Sequence, residues 1–460
     1  MTLIKSISGI RGTIGGAIGS NLTPMDIVKF ASAFGTFLIQ KNIGNKVVIG
    51  RDARISGPMV QSLISQTLIG LGLDVVDLGL STTPTVEMAV TAEKAIGGII
   101  ITASHNPKQW NALKLLNEKG EFISSENGAE VLDIAEAGKY MYAEIDKLGT
   151  LETKDYLDYH IEKILALPLV NVEAIKKQDY KIAVDAVNSA GGIAVPAMLR
   201  ALGVDNIVEI NCEPTGIFAH NPEPLPEHLT QIASVVKDEK CDLGIVVDPD
   251  VDRLALICED GDMFGEEYTL VSIADYVIHK TPGNTVSNLS STRALRDITE
   301  AAGLKYFASA VGEVNVVEKM KENNAVIGGE GNGGIIYPEL HYGRDSLVGI
   351  ALFLSQMAEA DASATAIKSK YPKYVISKNK ASLTEDIDVD DILLKIRDKY
   401  KKQPINTIDG VRIEFDNNWV HLRKSNTEPI IRIYAESDSQ QVADNLAKKI
   451  LQDIGEFANN

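Results

Sequence analysis

The sequence predicts an α/β protein in which three similar domains with largely parallel sheets, followed by a smaller C-terminal α+β domain, surround a central cleft. Short β-branched runs alternate with longer helix-like stretches, which is typical of βα units, and this alternation starts again twice. A chain of 460 residues is also long enough for about three to four domains, each with its own core. We place these domains at residues 1–153, 154–258, 259–370 and 371–460.

Each of the three repeats contains three predicted strands in the same order. They span residues 46–50, 75–78 and 98–101 in the first repeat, 180–184, 207–210 and 243–247 in the second, and 285–289, 305–308 and 325–327 in the third. Polar residues follow the third strand of every repeat. Because ligands bind beyond the carboxyl ends of the strands in open parallel sheets, we expect these three loops to meet in one cleft.

The pattern changes after residue 370. A helix is predicted near residues 390–401, two strands near residues 411–415 and 419–422, and an amphipathic helix near the C-terminus. Strands and helices that do not alternate as βα units predict a smaller α+β domain.

The composition argues against several classes of protein. The chain has 45 Lys and Arg against 63 Asp and Glu, a net charge of −18, which disfavours binding to nucleic acid or to an anionic membrane. Its three cysteines, Cys212, Cys241 and Cys258, lack metal-site spacing and are too few for a disulfide framework. The sequence shows no signal-peptide pattern and no apolar run of the roughly 20 residues that span a bilayer. We therefore expect a cytoplasmic protein.

Ser104 lies in the run Ile-Ile-Thr-Ala-Ser-His-Asn-Pro, where the third strand of the first repeat ends. Ser, Asn and Pro are ordinary turn and helix-capping residues, so a plain turn is one interpretation. The nearby cations His105, Lys108 and Lys114 favour another, because a phosphoserine carries about −1.5 to −2 charges and needs positive neighbours. Ser104 is therefore a candidate carrier of phosphate.

Three carboxylates at alternate positions, Asp248, Asp250 and Asp252, follow the third strand of the second repeat. Alternate residues of an extended segment point the same way, so we expect these side chains to converge on a hard cation, Mg²⁺. A solvated acidic turn is the alternative. A calcium EF-hand fits less well, because Arg253 stands where that loop requires Gly. Arg253 instead offers a positive charge to a phosphate.

The third repeat ends in a Gly-rich run, residues 328–334, which contains one carboxylate, Glu330, and one amide, Asn332. A flexible hinge explains the glycines equally well. The run lacks the spacing of the phosphate-binding loop of nucleotide hydrolases, and no helix pattern follows it. It therefore suits the recognition of hydroxyl groups better than nucleotide binding.

A cationic cluster follows a predicted strand of the C-terminal domain. It comprises Arg423, Lys424, Ser425, Asn426, Thr427 and, a few residues later, Arg432. Such donors suit an anion-binding nest, and an exposed polar hairpin is the alternative. In a chain with so many acidic residues, the cluster favours anion binding.

Taken in order, these motifs resemble those of the α-D-phosphohexomutase superfamily: a Ser-His-Asn-Pro loop, an Asp-x-Asp-x-Asp-Arg loop, a Gly-Glu loop and an Arg-x-Ser-Asn-Thr-Glu-Pro loop. The resemblance spans the whole chain and is greatest to the phosphoglucosamine mutases of this group. The run Ser8-Gly9-Ile10-Arg11-Gly12 is also similar to the family's N-terminal loop, whose arginine lies near the phosphoserine.

The resemblance implies an enzyme that interconverts hexose 6-phosphate and hexose 1-phosphate through a phosphoserine and a hexose 1,6-bisphosphate, which is both intermediate and activator. The four domains would carry, in order, the phosphoserine, the metal, the sugar site and the site for the substrate's phosphate. The implied catalytic residues are Ser104, Arg11, His105, Lys114 and Arg253. Mg²⁺ would be bound by Asp248, Asp250, Asp252 and the phosphate on Ser104, and the sugar phosphate by Glu330, Asn332, Arg423, Ser425, Asn426, Thr427 and Arg432.

The sugar loop departs from the family pattern. The family often has Glu-x-Ser-Gly-His there, whereas this chain has Glu330-Gly331-Asn332-Gly333-Gly334, so the histidine expected as general acid or base is missing. His341, or the run of residues 342–345, is a candidate replacement, and His220 is a further histidine that we expect near the cleft. The resemblance favours glucosamine phosphate as substrate, with mannose and glucose phosphates as alternatives.

Two other functions remain open at this point. Residues 245–251 also resemble the aspartyl-phosphate motif of haloacid-dehalogenase phosphatases, with Asp248 as nucleophile, but this function leaves the Ser104 loop unexplained. A non-catalytic sugar-phosphate-binding protein is the other class, and it would have no use for three clustered carboxylates.

Overall fold

The computed structural model describes residues 2–6, 9–382, 388–424 and 430–458, which form four sheets with their helices. The first region contains seven strands and four helices: β1 Ile4–Ser6, β2 Gly9–Thr13, α1 Pro24–Gln40, β3 Lys46–Arg51, α2 Gly57–Gly70, β4 Asp74–Leu80, α3 Thr83–Ala92, β5 Gly97–Ile101, β6 Trp110–Leu116, α4 Ser125–Ala137 and β7 Leu151–Thr153. Its strands lie in the order β1-β2-β6-β5-β3-β4-β7.

The second region is a four-stranded sheet with four helices. Its elements are α5 Leu157–Leu165, α6 Val172–Gln178, β8 Lys181–Asp185, α7 Gly191–Ala201, β9 Asn206–Ile210, α8 Thr230–Asp238, β10 Leu243–Val247 and β11 Leu254–Cys258. The strand order is β11-β10-β8-β9.

The third region repeats this arrangement. Its elements are α9 Glu266–Lys280, β12 Asn284–Asn288, α10 Ala294–Ala301, β13 Tyr306–Ser309, α11 Glu313–Glu322, β14 Ala325–Glu330, β15 Gly334–Ile336, α12 Ser346–Ala360 and α13 Ala364–Lys368. The strand order is β13-β12-β14-β15, so the second and third sheets share one topology.

The C-terminal region is an antiparallel five-stranded sheet with two helices, ordered β16-β20-β19-β18-β17. Its elements are β16 Val375–Ser382, α14 Val389–Lys399, β17 Ile405–Asn406, β18 Val411–Glu414, β19 Trp419–Lys424, β20 Ile430–Ser437 and α15 Gln440–Ala458. Three α/β sheets followed by a smaller α+β region confirm the predicted fold class. Among the described residues, no helix is long and apolar enough to cross a membrane.

One feature recurs in the first three sheets and was absent from the sequence prediction. In each sheet, the strand that leads into the polar loop is followed by a strand that returns antiparallel beside it: β6 after β5, β11 after β10, and β15 after β14. Each polar loop of the predicted cleft therefore connects the two strands of a hairpin. Both ends of the loop are fixed in the sheet, which limits the positions that its side chains can take.

The second and third sheets share a large apolar core in addition to a smaller cluster that each has of its own, whereas the sequence led us to expect only separate cores. Helix α12 packs against α5, α6, α7 and α9, and their buried side chains form one continuous cluster. Polar contacts join the same regions: Ser355 Oγ accepts the Asn171 main-chain N–H at 2.9 Å, and Tyr276 donates to the Leu169 carbonyl at 2.9 Å. The first and C-terminal regions have cores of their own.

Candidate active site

Ser104 lies in the loop that joins β5 to β6, and only 7% of it is exposed. Strand β5 is buried along its whole length, as expected for a parallel strand covered on both faces, and it brings the loop to the carboxyl end of the sheet. The main chain of Ser104 has a φ of 47°, a left-handed conformation that residues other than Gly adopt rarely and at a cost. The surrounding structure must hold this conformation in place.

Arg54 is the residue that holds it. Its guanidinium donates hydrogen bonds to four carbonyl oxygens of the loop: those of Ser104, Asn106 at 2.7 Å, Pro107 at 2.8 Å and Trp110 at 3.0 Å. The same guanidinium pairs with Asp52 at 3.0 Å, and neither side chain is exposed. Asp52 also accepts from Thr102 Oγ1 at 2.7 Å, and this hydroxyl in turn accepts the Ser104 N–H at 2.9 Å. A buried network therefore fixes the backbone on which Ser104 sits.

Asp248, Asp250 and Asp252 lie in the loop between β10 and β11, and all three are fully buried. The three carboxylates converge as expected, but the predicted reason, an extended segment, is wrong. The segment is a tight turn in which Val251 N–H donates to the Asp248 carbonyl at 3.1 Å and Val251 has a φ of 64°. The turn brings one oxygen of each carboxylate within 4.8 Å of the others.

The Ser104 loop and the Asp248 loop meet directly. Ser104 Oγ donates to Asp248 Oδ2 at 2.6 Å, although the two residues are 144 positions apart. Lys114, on β6, donates to Asp250 Oδ2 at 2.7 Å and lies 3.4 Å from Asp252 Oδ2. The predicted phosphate carrier and the predicted metal ligands therefore form one cluster.

The charges of this cluster suit a cation. Burial, with the neighbouring charges of Asp250 and Asp252, holds the pKa of Asp248 well above its usual range. Burial also acts on Asp250, but Lys114 together with hydrogen bonds from Thr83 and Asp248 lowers the pKa of Asp250. Asp250 Oδ1 and Asp252 Oδ1 are buried without a hydrogen-bond partner in the described part of the chain. Three clustered carboxylates, two of them with an oxygen that has no hydrogen-bond partner among the described residues, are donors that Mg²⁺ prefers, so these residues fit the ion.

Positive side chains lie on the Ser104 side of the cluster. His105 Nδ1 is 3.4 Å from Ser104 Oγ. Arg253, burial and Arg11, in that order of effect, hold the pKa of His105 well below its usual value. Burial and Arg253 also lower the pKa of Arg11. These shifts arise because several cations lie close together, and such a group favours the binding of a multiply charged anion.

Glu330 is the last residue of β14, and the hairpin loop to β15 consists of residues 331–333. Glu330 Oε1 accepts from Asn288 at 2.8 Å, and Oε2 accepts from Arg344 at 3.0 Å. Although burial opposes it, Arg344 lowers the pKa of Glu330. Asn332 is half-buried, and its Oδ1 accepts the Gly334 N–H at 3.2 Å. A Cβ on Gly331 would lie 1.9 Å from Glu267 Oε2, so any larger residue there would have to displace the Glu267 carboxylate.

The predicted phosphate-binding cluster is described in part. Arg423 and Lys424 are the last residues of β19, and Arg432 pairs with Arg423 in register across β20. Ser425, Asn426 and Thr427 lie outside the described residues. Arg423 and Arg432 are half-buried, and they place two cations on the strands that flank this segment.

Four family models match the chain in order. They describe the phosphoglucomutase/phosphomannomutase α/β/α domain I at residues 3–141, domain II at 155–261, domain III at 265–374 and the C-terminal domain at 380–452. The chain belongs to the phosphoglucomutase/phosphomannomutase family. It is an isomerase, a phosphohexomutase.

Two relatives with different names illustrate the range of this family. A phosphoglucomutase/phosphomannomutase of Thermococcus kodakarensis is 36% identical over 94% of this chain and 95% of its own. A phosphoglucosamine/phosphogalactosamine mutase of Sulfurisphaera tokodaii is 33% identical over 96% of this chain and 97% of its own.

Solved structures of phosphohexomutases share the fold. A family protein from Burkholderia thailandensis superposes with a TM-score of 0.84 at 25% identity, covering 100% of this chain and 98% of its own. An N-acetylphosphoglucosamine mutase of Aspergillus fumigatus, in complex with GlcNAc-6P and magnesium, superposes with a TM-score of 0.60 at 13% identity, covering 100% of this chain and 96% of its own. The second likeness concerns the fold alone.

Two arginines of this phosphohexomutase site were not assigned from the sequence. Arg54 follows β3 at the same sheet edge as Ser104, and this position in an Arg-Asp-Ala-Arg run was its only signal. Arg344 lies in the run 342–345 that we expected to replace the missing histidine. It donates to Asp252 at 2.6 Å, Glu330 at 3.0 Å and Glu313 at 2.9 Å. Arg344 thus joins the Asp248 loop to the Glu330 loop.

The two histidines expected near the cleft make other contacts. His341 Nε2 lies 3.3 Å from Asp345 Oδ2, and its Nδ1 lies 3.4 Å from Glu87 Oε2. His220 Nε2 lies 3.2 Å from Asp185 Oδ2. Both rings are engaged with carboxylates, and Arg344 is the side chain of this region that contacts Glu330.

Proposed function

We propose that this phosphohexomutase interconverts glucosamine 6-phosphate and glucosamine 1-phosphate, with Ser104 as the carrier of the phosphoryl group. The observation that carries the proposal is the 2.6 Å hydrogen bond between Ser104 Oγ and Asp248 Oδ2. It joins a hydroxyl on a strained, rigidly held loop to three buried carboxylates, with Arg11, His105, Lys114 and Arg253 around them.

In the forward direction, phosphorylated Ser104 transfers its phosphoryl group to the free hydroxyl at carbon 1 of the hexose 6-phosphate. The bond between phosphorus and Ser104 Oγ breaks, a bond to the sugar oxygen forms, and the hydroxyl proton passes in net terms to Ser104 Oγ. The product is a hexose 1,6-bisphosphate. After the sugar turns over, Ser104 Oγ takes the phosphoryl group from the oxygen on carbon 6. The bond between phosphorus and that oxygen breaks, the serine proton passes to it in net terms, and the hexose 1-phosphate leaves.

Phosphoryl transfer depends mainly on positioning and on the neutralisation of charge. Arg253 and Arg11 neutralise the phosphate on Ser104, His105 offers it a hydrogen bond, and Lys114 stabilises charge on its other side. Asp248, Asp250, Asp252 and an oxygen of the Ser104 phosphate would hold Mg²⁺, which supplies further positive charge to the transferring group. The two carboxylate oxygens without hydrogen-bond partners, on Asp250 and Asp252, support this assignment.

The substrate's other end is held by the remaining loops in this proposal. Glu330 and Asn332 bind sugar hydroxyls, and Arg423, Ser425, Asn426, Thr427 and Arg432 bind the phosphate that does not react. The same phosphate-binding residues accept either end of the bisphosphate. The small C-terminal domain therefore opens and closes in this proposal, so that the sugar can reorient. Motions of this kind often limit turnover.

Glucosamine phosphate is the substrate that we favour, and the similarity to the Sulfurisphaera tokodaii mutase supports it. Glucose and mannose phosphates are a second candidate, because the Thermococcus kodakarensis relative bears those names. The test compares kcat/KM for the 6-phosphates of glucosamine, glucose and mannose with the matching bisphosphate activator present. A preference for glucosamine 6-phosphate of at least about tenfold, or about 1.4 kcal/mol, is expected. Equal rates on all three would refute a dedicated glucosamine enzyme.

The role of Ser104 is tested by intact-mass analysis of the purified protein. We expect one phosphate on the wild type, none on Ser104→Ala, and mutase activity only in the former. Ser62→Ala changes an exposed serine on α2 and should keep both the phosphate and the activity. A phosphatase would release inorganic phosphate and a binding protein would show no turnover. An active Ser104→Ala protein without phosphate would overturn the proposal.

A further inference from the structure

A second group of metal-binding side chains lies where the first three regions meet. His160, on α5, and the pair His341 and Asp345, between β15 and α12, direct one atom each to a common point. His160 Nε2 is 2.9 Å and His341 Nε2 is 3.3 Å from Asp345 Oδ2. His160 and Asp345 are fully buried, and the His341 side chain is 13% exposed.

The other polar atom of each of these side chains faces a neighbouring polar group. His160 Nδ1 lies 3.0 Å from Thr85 Oγ1, and His341 Nδ1 lies 3.4 Å from Glu87 Oε2. Asp345 Oδ1 caps α12 by accepting the N–H groups of Leu347 at 2.8 Å and Val348 at 3.3 Å. Metal-bound histidines are oriented in this way, by a hydroxyl, carbonyl or carboxylate on the second ring nitrogen. The two Nε2 atoms and Asp345 Oδ2 are therefore the atoms available to an ion.

Glu87 is a further buried acidic side chain beside this group. It is 1% exposed, and neither of its carboxyl oxygens has a hydrogen-bond partner among the described residues. A Cβ on Gly343 would lie 1.9 Å from Glu87 Oε2, so the backbone closes tightly around the carboxyl group. Such a buried group stays protonated unless a positive charge lies nearby. Asp345 supplies the negative charge of the ligand set, and an ion bound to His341 would favour the ionised form of Glu87.

We propose that His160 Nε2, His341 Nε2 and Asp345 Oδ2 bind a divalent transition-metal ion of the Zn²⁺ class, with Glu87 orienting His341. Two imidazoles and one carboxylate select such an ion over Mg²⁺, which prefers oxygen donors. The site is separate from the Asp248 cluster and does not depend on the function proposed above. Its ligands come from two regions and its outer contacts, Thr85 and Glu87, from α3 of the first region. The ion would thus tie the three regions together.

The test uses the full-length protein, stripped with a chelator and then loaded with Co²⁺ in excess Mg²⁺, so that Mg²⁺ fills the carboxylate-only cluster. We expect one tightly held Co²⁺ per chain by elemental analysis, visible d–d absorption typical of nitrogen ligands, displacement of that absorption by Zn²⁺, and a rise in Tm. His341→Ala should abolish the absorption. His279→Ala, which removes an exposed histidine, should leave it unchanged.

Asp345→Asn provides a second test that does not remove the helix cap, because the Asn oxygen can still accept from α12. It should weaken Co²⁺ binding by about 10- to 100-fold while circular dichroism stays native. A stripped wild type that gains neither absorption nor Tm with Co²⁺ would show that the cluster is held by hydrogen bonds alone and overturn the proposal. Equal Co²⁺ spectra for the wild type and a folded His341→Ala protein would overturn it as well.

Discussion

Arg54 donates a hydrogen bond to the main-chain oxygen of Ser104 from 50 positions earlier in the chain. Both residues follow parallel strands that are neighbours in the first sheet, β3 and β5. The strained backbone of Ser104 is therefore set by a contact within the apoprotein, before any ligand arrives. A nucleophile held in this way needs little reorganisation at the moment of transfer.

Arg54→Lys should lower turnover more than it weakens substrate binding. Lys keeps the charge but cannot donate to four carbonyls and a carboxylate in one plane, so the Ser104 loop should shift. We expect kcat to fall by about 100-fold, with a smaller change in KM and slower phosphorylation of Ser104 by the bisphosphate. The measurements are steady-state kinetics and intact mass. Arg51→Lys, at a half-buried neighbour bound to Gln61, is the control, and wild-type kcat in Arg54→Lys would contradict this role.

Asp248→Asn should make the protein insensitive to Mg²⁺. In the wild type, a ligand that binds only the folded state stabilises it by about 2.7 kcal/mol at 100 times its Kd, so Tm should rise when Mg²⁺ is added. In Asp248→Asn this rise should be lost together with mutase activity. In chelator the variant should be at least as stable as the wild type, because one of three clustered buried carboxylates is removed. Thermal unfolding with and without Mg²⁺ checks both expectations, and a Mg²⁺-induced rise equal to that of the wild type argues against the assigned ligand.

Arg344→Lys should impair sugar binding and metal binding together. The guanidinium contacts Asp252, Glu330 and Glu313 at once, and a single ammonium group cannot replace these contacts. We expect KM for the sugar phosphate to rise by about tenfold, or about 1.4 kcal/mol, and the Mg²⁺ concentration needed for half-maximal activity to rise as well. Kinetics at varied substrate and Mg²⁺ measure both. Arg200→Lys, an exposed arginine paired with Glu209, should change neither value.

His421 should make the contact between the third and C-terminal regions sensitive to acid. The buried ring lies 2.9 Å from Ser290 Oγ and 2.6 Å from the Asp409 carbonyl. Burial, reinforced by Arg412, lowers the pKa of His421 to about 4, whereas in the unfolded chain it is about 6.5. Between these values the unfolded state binds the extra proton, so stability is complete above pH about 6.5 and falls as pH decreases towards 4.

His421→Gln can keep both hydrogen bonds but does not titrate. The stability difference between wild type and variant should therefore change with pH between about 6.5 and 4, by at most about 3 kcal/mol, and should be constant above pH 7. Chemical denaturation at several pH values measures this difference. A difference that stays constant down to pH 4 would rule out His421 as the titrating group.

Much of the fold follows from local sequence. The nine predicted strands of the three repeats are apolar, β-branched runs, and each is present in the structure within one to three residues of its predicted ends. The returning strands β6, β11 and β15 were missed. Strand β6 carries Asn111 and Lys114 between its apolar residues, and β15 is three residues long and begins with Gly. Strand β11 is a buried apolar run, Leu254–Cys258, which lies outside the three-strand repeat on which the prediction was based.

Some residues of the candidate site could be predicted from the sequence, and others could not. Ser104 and the three aspartates were found because each lies directly after a buried strand, in a short and unusual run of residues. The roles of Arg54 and Arg344 depend on partners far away in the chain, and a single arginine in a loop gives no sign of which carboxylate or carbonyl it meets. The geometry of the Asp248 turn could not be predicted either, because it places Val251 at a positive φ, where Val is seldom found.

The core shared by the second and third sheets has a mechanical consequence. Helix α12 packs against both of these sheets. Arg344, just before this helix, donates hydrogen bonds to the Asp248 loop and to Glu330. We expect these two regions to behave as one rigid block during turnover, so the spacing between the three aspartates of the Asp248 loop and Glu330 stays constant. The C-terminal domain is then the part that we expect to move when the bisphosphate changes its orientation.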